Sequence, residues 1–147
     1  MNMYIAILRG INVGGNRKLP MADLRSIMDN LGFKKVKTYI QSGNIIFESD
    51  ISDIKKIEDT ISQSILSNFN YNVPTIVKTI EDWEQAIVNN PYKGKDIKQV
   101  LFTFLKEVPQ IKLQNYSSEN DEYQLIHDVV HLHCPSGYGK TKLNNNY

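Results

Sequence analysis

Between Leu8 and Phe33 the chain reads LRGINVGGNRKLPMADLRSIMDNLGF, and residues suited to holding an anion crowd its first half. Glycines stand at 10, 14 and 15, Asn12 and Asn16 lie among them, and Arg9, Arg17 and Lys18 bracket the run. A strand that breaks into a Gly- and Asn-rich loop and then into a helix can aim backbone N–H groups, and the positive end of a helix dipole, at a phosphate or carboxylate. The stretch matches no phosphate-loop signature. GxxxxGK followed by Ser or Thr would need Lys where Asn16 stands, and GxGxxG would need Gly at position 12. The glycines serve equally well to let the chain cross tightly with positive φ. Ligand contact and loop geometry are both open readings of this loop.

Four further constellations invite chemistry. Ser42-Gly43-Asn44 follows Gln41 and reads first as a hairpin turn, which requires no ligand. That turn is expected at the end of the sheet opposite the loops that lead into helices. Ser136–Thr141 contains Gly-Lys-Thr, but the first glycine of a Walker A loop would fall on Cys134, and only six residues follow Thr141. Motif logic therefore disfavours an ATPase, while Lys140 and Thr141 at a helix start could still touch a phosphate. His131 and His133 alternate onto one strand face with Cys134 turned away. Zinc needs three or four convergent ligands, so ordinary strand histidines are the simpler reading, and no metal is assigned. Cys134 has no assignable base and reads as a buried thiol. Eight tyrosines suggest base stacking, yet the mid-strand aromatics of an RNA-recognition module are missing, and packing at the core edge accounts for them.

The elements that must position these groups follow from pattern. Met3–Leu8 is a short apolar run, expected as a buried strand. Residues 20–31 carry Leu24, Ile27, Met28 and Leu31 at helical spacing, with Pro20 in the first turn and Gly32 as the stop. Val36–Gln41 and Asn44–Glu48 form a hairpin. Over 52–69, Ile54, Ile57, Ile61, Ile65 and Phe69 draw one apolar stripe, ended by Asn70 and Asn72, and Pro74–Thr79 is extended. The order β-α-β-β-α-β is the ferredoxin-like pattern. Thr79 suits the N-cap of a short helix carrying Trp83, Ala86 and Ile87, stopped at Asn89-Asn90-Pro91. After a polar seam at Pro91–Lys98 come a strand at Gln99–Leu105, a short helix opened by Pro109, and a hairpin of Glu122–Ile126 and Val129–His133 around His127-Asp128. The expected architecture is an α+β fold, mainly antiparallel: a ferredoxin-like first half (1–79) and a related second α+β subdomain (80–147).

Composition sets bounds on function. The chain has 147 residues, 41% hydrophobic and 22% charged, which suits one domain or two small halves of a soluble protein. A net charge of +1 argues for neither nucleic acid nor anionic membrane across the whole molecule. Charge is uneven, however: residues 1–40 hold seven Lys/Arg against two acids, and residues 41–70 hold two against five. One cysteine forbids an intrachain disulfide and fits a reducing compartment, and the first apolar run is too short for a signal-peptide core or a membrane span. A cytoplasmic location is expected. Abundant Asn and Ile with scarce Arg suggest an AT-rich bacterial genome.

Two blocks, LRGINVGGNRKLPMADLR (8–25) and TYIQSGNIIF (38–47), resemble the DUF1697 family of bacterial proteins, and PSGYGKTKLNNNY (135–147) is similar to that family's Gly-x-Gly-(Lys/Arg)-(Ser/Thr)-x-Leu segment. The resemblance spans essentially the whole chain and extends over Tyr39, Gln41 and Ser42. It implies an α+β architecture of two related subdomains and no activity, since the family is named for having none known. Family members usually continue into a segment with an Arg-Asn-Trp motif. Here the chain stops at Tyr147 and its only tryptophan is Trp83, so the chain is expected to be naturally short or trimmed.

The residues together point first to a cytoplasmic module binding a small anionic or phosphorylated ligand through Arg9, Asn12, Gly14, Gly15, Asn16, Arg17 and Lys18, joined by Ser42, Asn44, Lys140 and Thr141 if the fold brings them near. The alternatives are nucleic-acid binding through the basic first 40 residues and a structural or partner-binding domain without a small ligand. No nucleophile, acid–base pair, cofactor or metal can be assigned.

Overall fold

The computed structural model describes residues 1–109 and 121–135. Among them are three α-helices and two antiparallel sheets, in two compact units, Met1–Trp83 and Glu84–Tyr147. In the first unit β1 (Asn2–Leu8), α1 (Met21–Asn30), β2 (Lys34–Tyr39), β3 (Asn44–Ser49), α2 (Ile54–Phe69) and β4 (Thr75–Thr79) follow in the β-α-β-β-α-β order read from the sequence. The strands lie in the order β2-β3-β1-β4, each pair antiparallel. Period-2 alternation turns Tyr4, Ala6 and Leu8 of β1, Ile45 and Phe47 of β3 and Val77 of β4 to one face. Leu24, Ile27 and Met28 of α1 and Ile57, Ile61 and Ile65 of α2 close over them as one core.

Local chemistry sets the ends of these elements. Pro20, with φ −58°, stands at the N-cap of α1 and its carbonyl accepts the Leu24 N–H at 3.0 Å. At the other end Gly32 takes φ +87°, so that its N–H reaches the Asp29 carbonyl and the Phe33 N–H reaches that of Met28, a Schellman stop. The Asp53 carboxylate accepts the Lys56 N–H at the start of α2, and Asn70 in the left-handed region ends it. Glu58 of α2 is buried and its Oε1 accepts the Val77 N–H at 2.9 Å, satisfying an outward donor of the edge strand β4. Thr79 and Asp82 cap each other's backbone N–H groups at the start of α3 (Ile80–Val88).

Two sequence expectations need correction. The strand placed at Val36–Gln41 ends at Tyr39, because Ile40 turns into the left-handed region at φ +50° and Gly43 follows at +82°, so the β2–β3 connection is a four-residue turn. That turn is also at the same end of the sheet as the β1–α1 loop, not the opposite end. β1 and β2 both run antiparallel to β3 between them, so both must leave the sheet at one end.

In the second unit β5 (Val100–Phe104), β6 (Glu122–Ile126) and β7 (Val129–His133) form a sheet in the order β5-β7-β6. The β6–β7 hairpin turns on His127 at φ +55°. The helix expected after Pro109 falls outside the described residues. No described helix is long and apolar enough to cross a membrane.

Candidate functional site

The loop from Arg9 to Leu19 is a small structure of its own. Val13 and Asn16 pair, with the Asn16 N–H on the Val13 carbonyl at 3.0 Å, and Gly14 and Gly15 at φ +58° and +77° form the turn between them. Two consecutive positive φ values make a type I′ turn, which is the reason for two glycines there. The Asn12 N–H donates to the Arg17 carbonyl at 3.1 Å and extends this miniature hairpin.

Asn12 then ties the loop to the rest of the unit. Its Oδ1 accepts the Leu19 N–H at 2.8 Å, and its Nδ2 donates to the Leu19 carbonyl at 2.9 Å and to the Gln41 carbonyl at 2.8 Å. The last bond reaches into the β2–β3 turn. A second tie runs from the Leu8 N–H to the Gly43 carbonyl at 3.1 Å. Gly43 is packed so closely that a Cβ there would stand 2.7 Å from Ile11 Cδ1 and 2.9 Å from Leu8 Cβ. The loops at 9–19 and 40–43 are therefore one continuous surface, which neither loop's sequence states.

Its charge comes from Arg9, Arg17 and Lys18, all exposed. The Arg9 N–H donates to the Pro74 carbonyl. Arg17 Nη1 lies over Gly10, 3.5 Å from where a Cβ would project. Asn44 Nδ2 donates to Ser42 Oγ at 2.9 Å. The side chain of Asn12 and the N–H of Asn16 are thus engaged within the loops, while Gly14 and Gly15 stand exposed at the tip with open space above them. Lys140 and Thr141 lie outside the described residues.

Sequence reasoning left Val13, Tyr39 and Ile40 out of the site. They are 65%, 69% and 60% exposed on the two loops and the adjoining end of β2, which for Tyr39 corrects the expectation that the tyrosines pack at the core edge. Tyr39 had a signal: in a strand whose Val36 packs on the core and whose Thr38 Oγ1 accepts Arg25 Nη1 of α1, position 39 must face away from the helices. Ile40 had none, because no sequence pattern announces a β-branched residue at positive φ.

In the second unit His131 is fully buried against Phe102, ring centroids 4.8 Å apart, and neither ring nitrogen has a hydrogen-bond partner among the described residues. Burial pushes its pKa below the usual histidine value. His133 Nε2 lies 3.3 Å from Gln99 Oε1, and its ring packs on Tyr92. The Tyr92 phenol is pushed up, first by burial and then by Glu122 and Cys134. Cys134 is buried with Leu132 in a separate apolar cluster. No three His, Cys, Asp or Glu side chains converge among the described residues. Two open hollows, along Asp53–Gln63 of α2 and between Met1–Tyr4 and Thr79–Glu81, are wide and polar and hold no convergent reactive groups.

The family model DUF1697, a protein family of unknown function, matches residues 1–131. The chain belongs to that family. Among solved structures it is similar to one described as that of the conserved bacterial protein SP0830 from Streptococcus pneumoniae, with 26% identity and a TM-score of 0.76, over 95% of this chain and 82% of that one. No curated protein matches the chain.

Proposed function

We propose that this DUF1697 member binds a small anionic ligand of the phosphate class on the joined loops 9–19 and 40–44. The observation that carries the reading is the Asn12 clamp: three hydrogen bonds hold both loops in place, so a ligand would meet an ordered surface and lose little affinity to ordering it. Left-handed backbone recurs at Gly10, Asn12, Gly14, Gly15 and Arg17. Such turns form concave sets of N–H groups that suit anions, and non-glycine residues held at positive φ cluster at functional sites. In this reading Gly14 and Gly15 offer backbone N–H groups, Arg9, Arg17 and Lys18 supply charge, and Ser42 and Asn44 border the surface. A single cysteine fits a cytoplasmic setting for such a module.

The test is calorimetric titration of the full chain with inorganic phosphate and ribose 5-phosphate. Arg17→Gln combined with Lys18→Gln should weaken binding at least tenfold and leave the urea midpoint in place, because both side chains are exposed. Unchanged affinity in the double variant, or no binding of either probe to the folded chain, rejects the proposal.

A nucleic-acid reading draws on one further feature. Three of the seven cations of residues 1–40, Lys34, Lys35 and Lys37, stand exposed along the edge strand β2, although Lys35 is paired with Glu48 at 2.9 Å. It requires affinity that grows with strand length and falls steeply with salt. If neither a small ligand nor an oligonucleotide binds, a structural or partner-binding role is left.

A further inference from the structure

We infer that the ligand of this loop surface carries a planar base as well as a phosphate: a nucleoside phosphate, with its base against Tyr39 and its phosphate at the Arg17–Lys18 side. The inference rests on the anion reading above and adds the class of ligand to it.

The cations keep apolar company. A surface for a bare anion or a sugar phosphate needs N–H groups and charge, and an exposed aromatic ring contributes nothing to it. Here Val13 in the first loop, Tyr39 at the end of β2 and Ile40 in the turn after it are each more than half exposed. Three residues that all withhold apolar area from the core at one end of one sheet are candidates for a binding surface.

The backbone under these residues is positioned. From Tyr39 the chain passes through Ile40 to Gln41, whose carbonyl is bonded to Asn12, whose N–H is bonded to the Arg17 carbonyl. Two hydrogen bonds and a few residues thus fix the main chain at Tyr39 relative to the main chain at Arg17. Ile40 is held at φ +50°, a costly state for a β-branched side chain, and is still turned to solvent. Folding alone would be served by Gly or Asn at that position. The strain keeps an apolar side chain beside Tyr39.

Arg9, Arg17 and Lys18 of the first loop and Lys37 of β2 are exposed, so the occupant must be anionic as well as partly apolar. An acyl chain would suit the apolar residues but needs a groove, and the space above Gly14 and Gly15 is open. A flat base stacking on one ring, with its phosphate a few bonds away, fits an open surface of this kind.

The deciding experiment titrates the full chain with AMP, UMP, ribose 5-phosphate and inorganic phosphate, using the unaltered protein, Tyr39→Ala and Tyr39→Phe. The nucleotides should bind at least tenfold more tightly than ribose 5-phosphate. Tyr39→Ala should remove that advantage and leave ribose 5-phosphate affinity unchanged, and Tyr39→Phe should retain it, since stacking needs the ring and not the hydroxyl. Equal affinity for ribose 5-phosphate and the nucleotides overturns the base-binding inference while leaving the anion site standing. So does a Tyr39→Ala variant that weakens every probe alike or none. Failure of all four probes to bind overturns the anion site itself.

Discussion

Replacing Asn12 by glycine tests whether the two loops are held by side-chain hydrogen bonds or by backbone geometry alone. Glycine adopts φ +55° without strain, so Asn12→Gly removes the bonds and keeps the conformation. Two of the three bonds lost are to the N–H and carbonyl of Leu19, a residue with no exposed surface. Each such bond contributes about 1 kcal/mol net, and a backbone group left buried without a partner costs about 1–3 kcal/mol. The third bond, to the Gln41 carbonyl, is exposed and water can replace it. The added chain entropy of glycine contributes less than about 1 kcal/mol. The expected loss is about 2–4 kcal/mol, read as a lower urea midpoint at unchanged slope, with unfolding followed by the fluorescence of the single Trp83. Asn12→Ala should be worse by about 1 kcal/mol, because alanine resists the left-handed region. If Asn12→Gly were as stable as the unaltered chain, the clamp would contribute nothing and a preorganised surface would lose its support.

Other expectations follow from the same geometry. Gly43→Ala should cost about 2–4 kcal/mol in urea unfolding, since the new methyl collides with Ile11 and Leu8 at positive φ. Gly15→Ala meets open space and should lose only the left-handed penalty of about 1 kcal/mol, so equal losses at the two positions would contradict the packing. Glu58→Ala should cost about 1–3 kcal/mol by leaving the Val77 N–H without its acceptor, whereas Glu58→Gln retains an acceptor oxygen and should cost less. The buried His131 is held neutral, its folded pKa below its unfolded one, so the unfolded chain takes up the proton first. Stability is then complete above the ordinary histidine range. It falls as pH drops through about 6.5 toward the lowered folded value, by at most about 1.4 kcal/mol per pH unit. His131→Phe should flatten that part of the profile, measured by urea midpoints between pH 8 and pH 5, and an unchanged slope would contradict it.

Periodicity and end signals alone delivered the element order of the first unit. Isoleucines at helical spacing over 54–65, the apolar run of β1, the turn residues before β3, Gly32 after α1 and Thr79 before α3 each act within a few residues, so they are readable one segment at a time. The β6–β7 hairpin was legible for the same reason, from two alternating runs around His127-Asp128. Gly14-Gly15 was visible as a loop, and the Arg9–Lys18 run as a concentration of charge.

What only the tertiary structure decided is which loops meet. Strand order places β3 between β1 and β2, and that alone brings the β2–β3 turn to the end of the sheet where the β1–α1 loop begins. Asn12 and Gln41 are 29 residues apart, and no local rule pairs a side-chain amide with a carbonyl across that distance. Gly43 needs its missing Cβ because of Ile11 and Leu8, not because of the turn it occupies, and Tyr39 and Ile40 are exposed because the sheet edge leaves them uncovered. Propensity and capping are set by near neighbours along the chain, whereas contact and exposure are set by neighbours in space, which the order of residues does not contain.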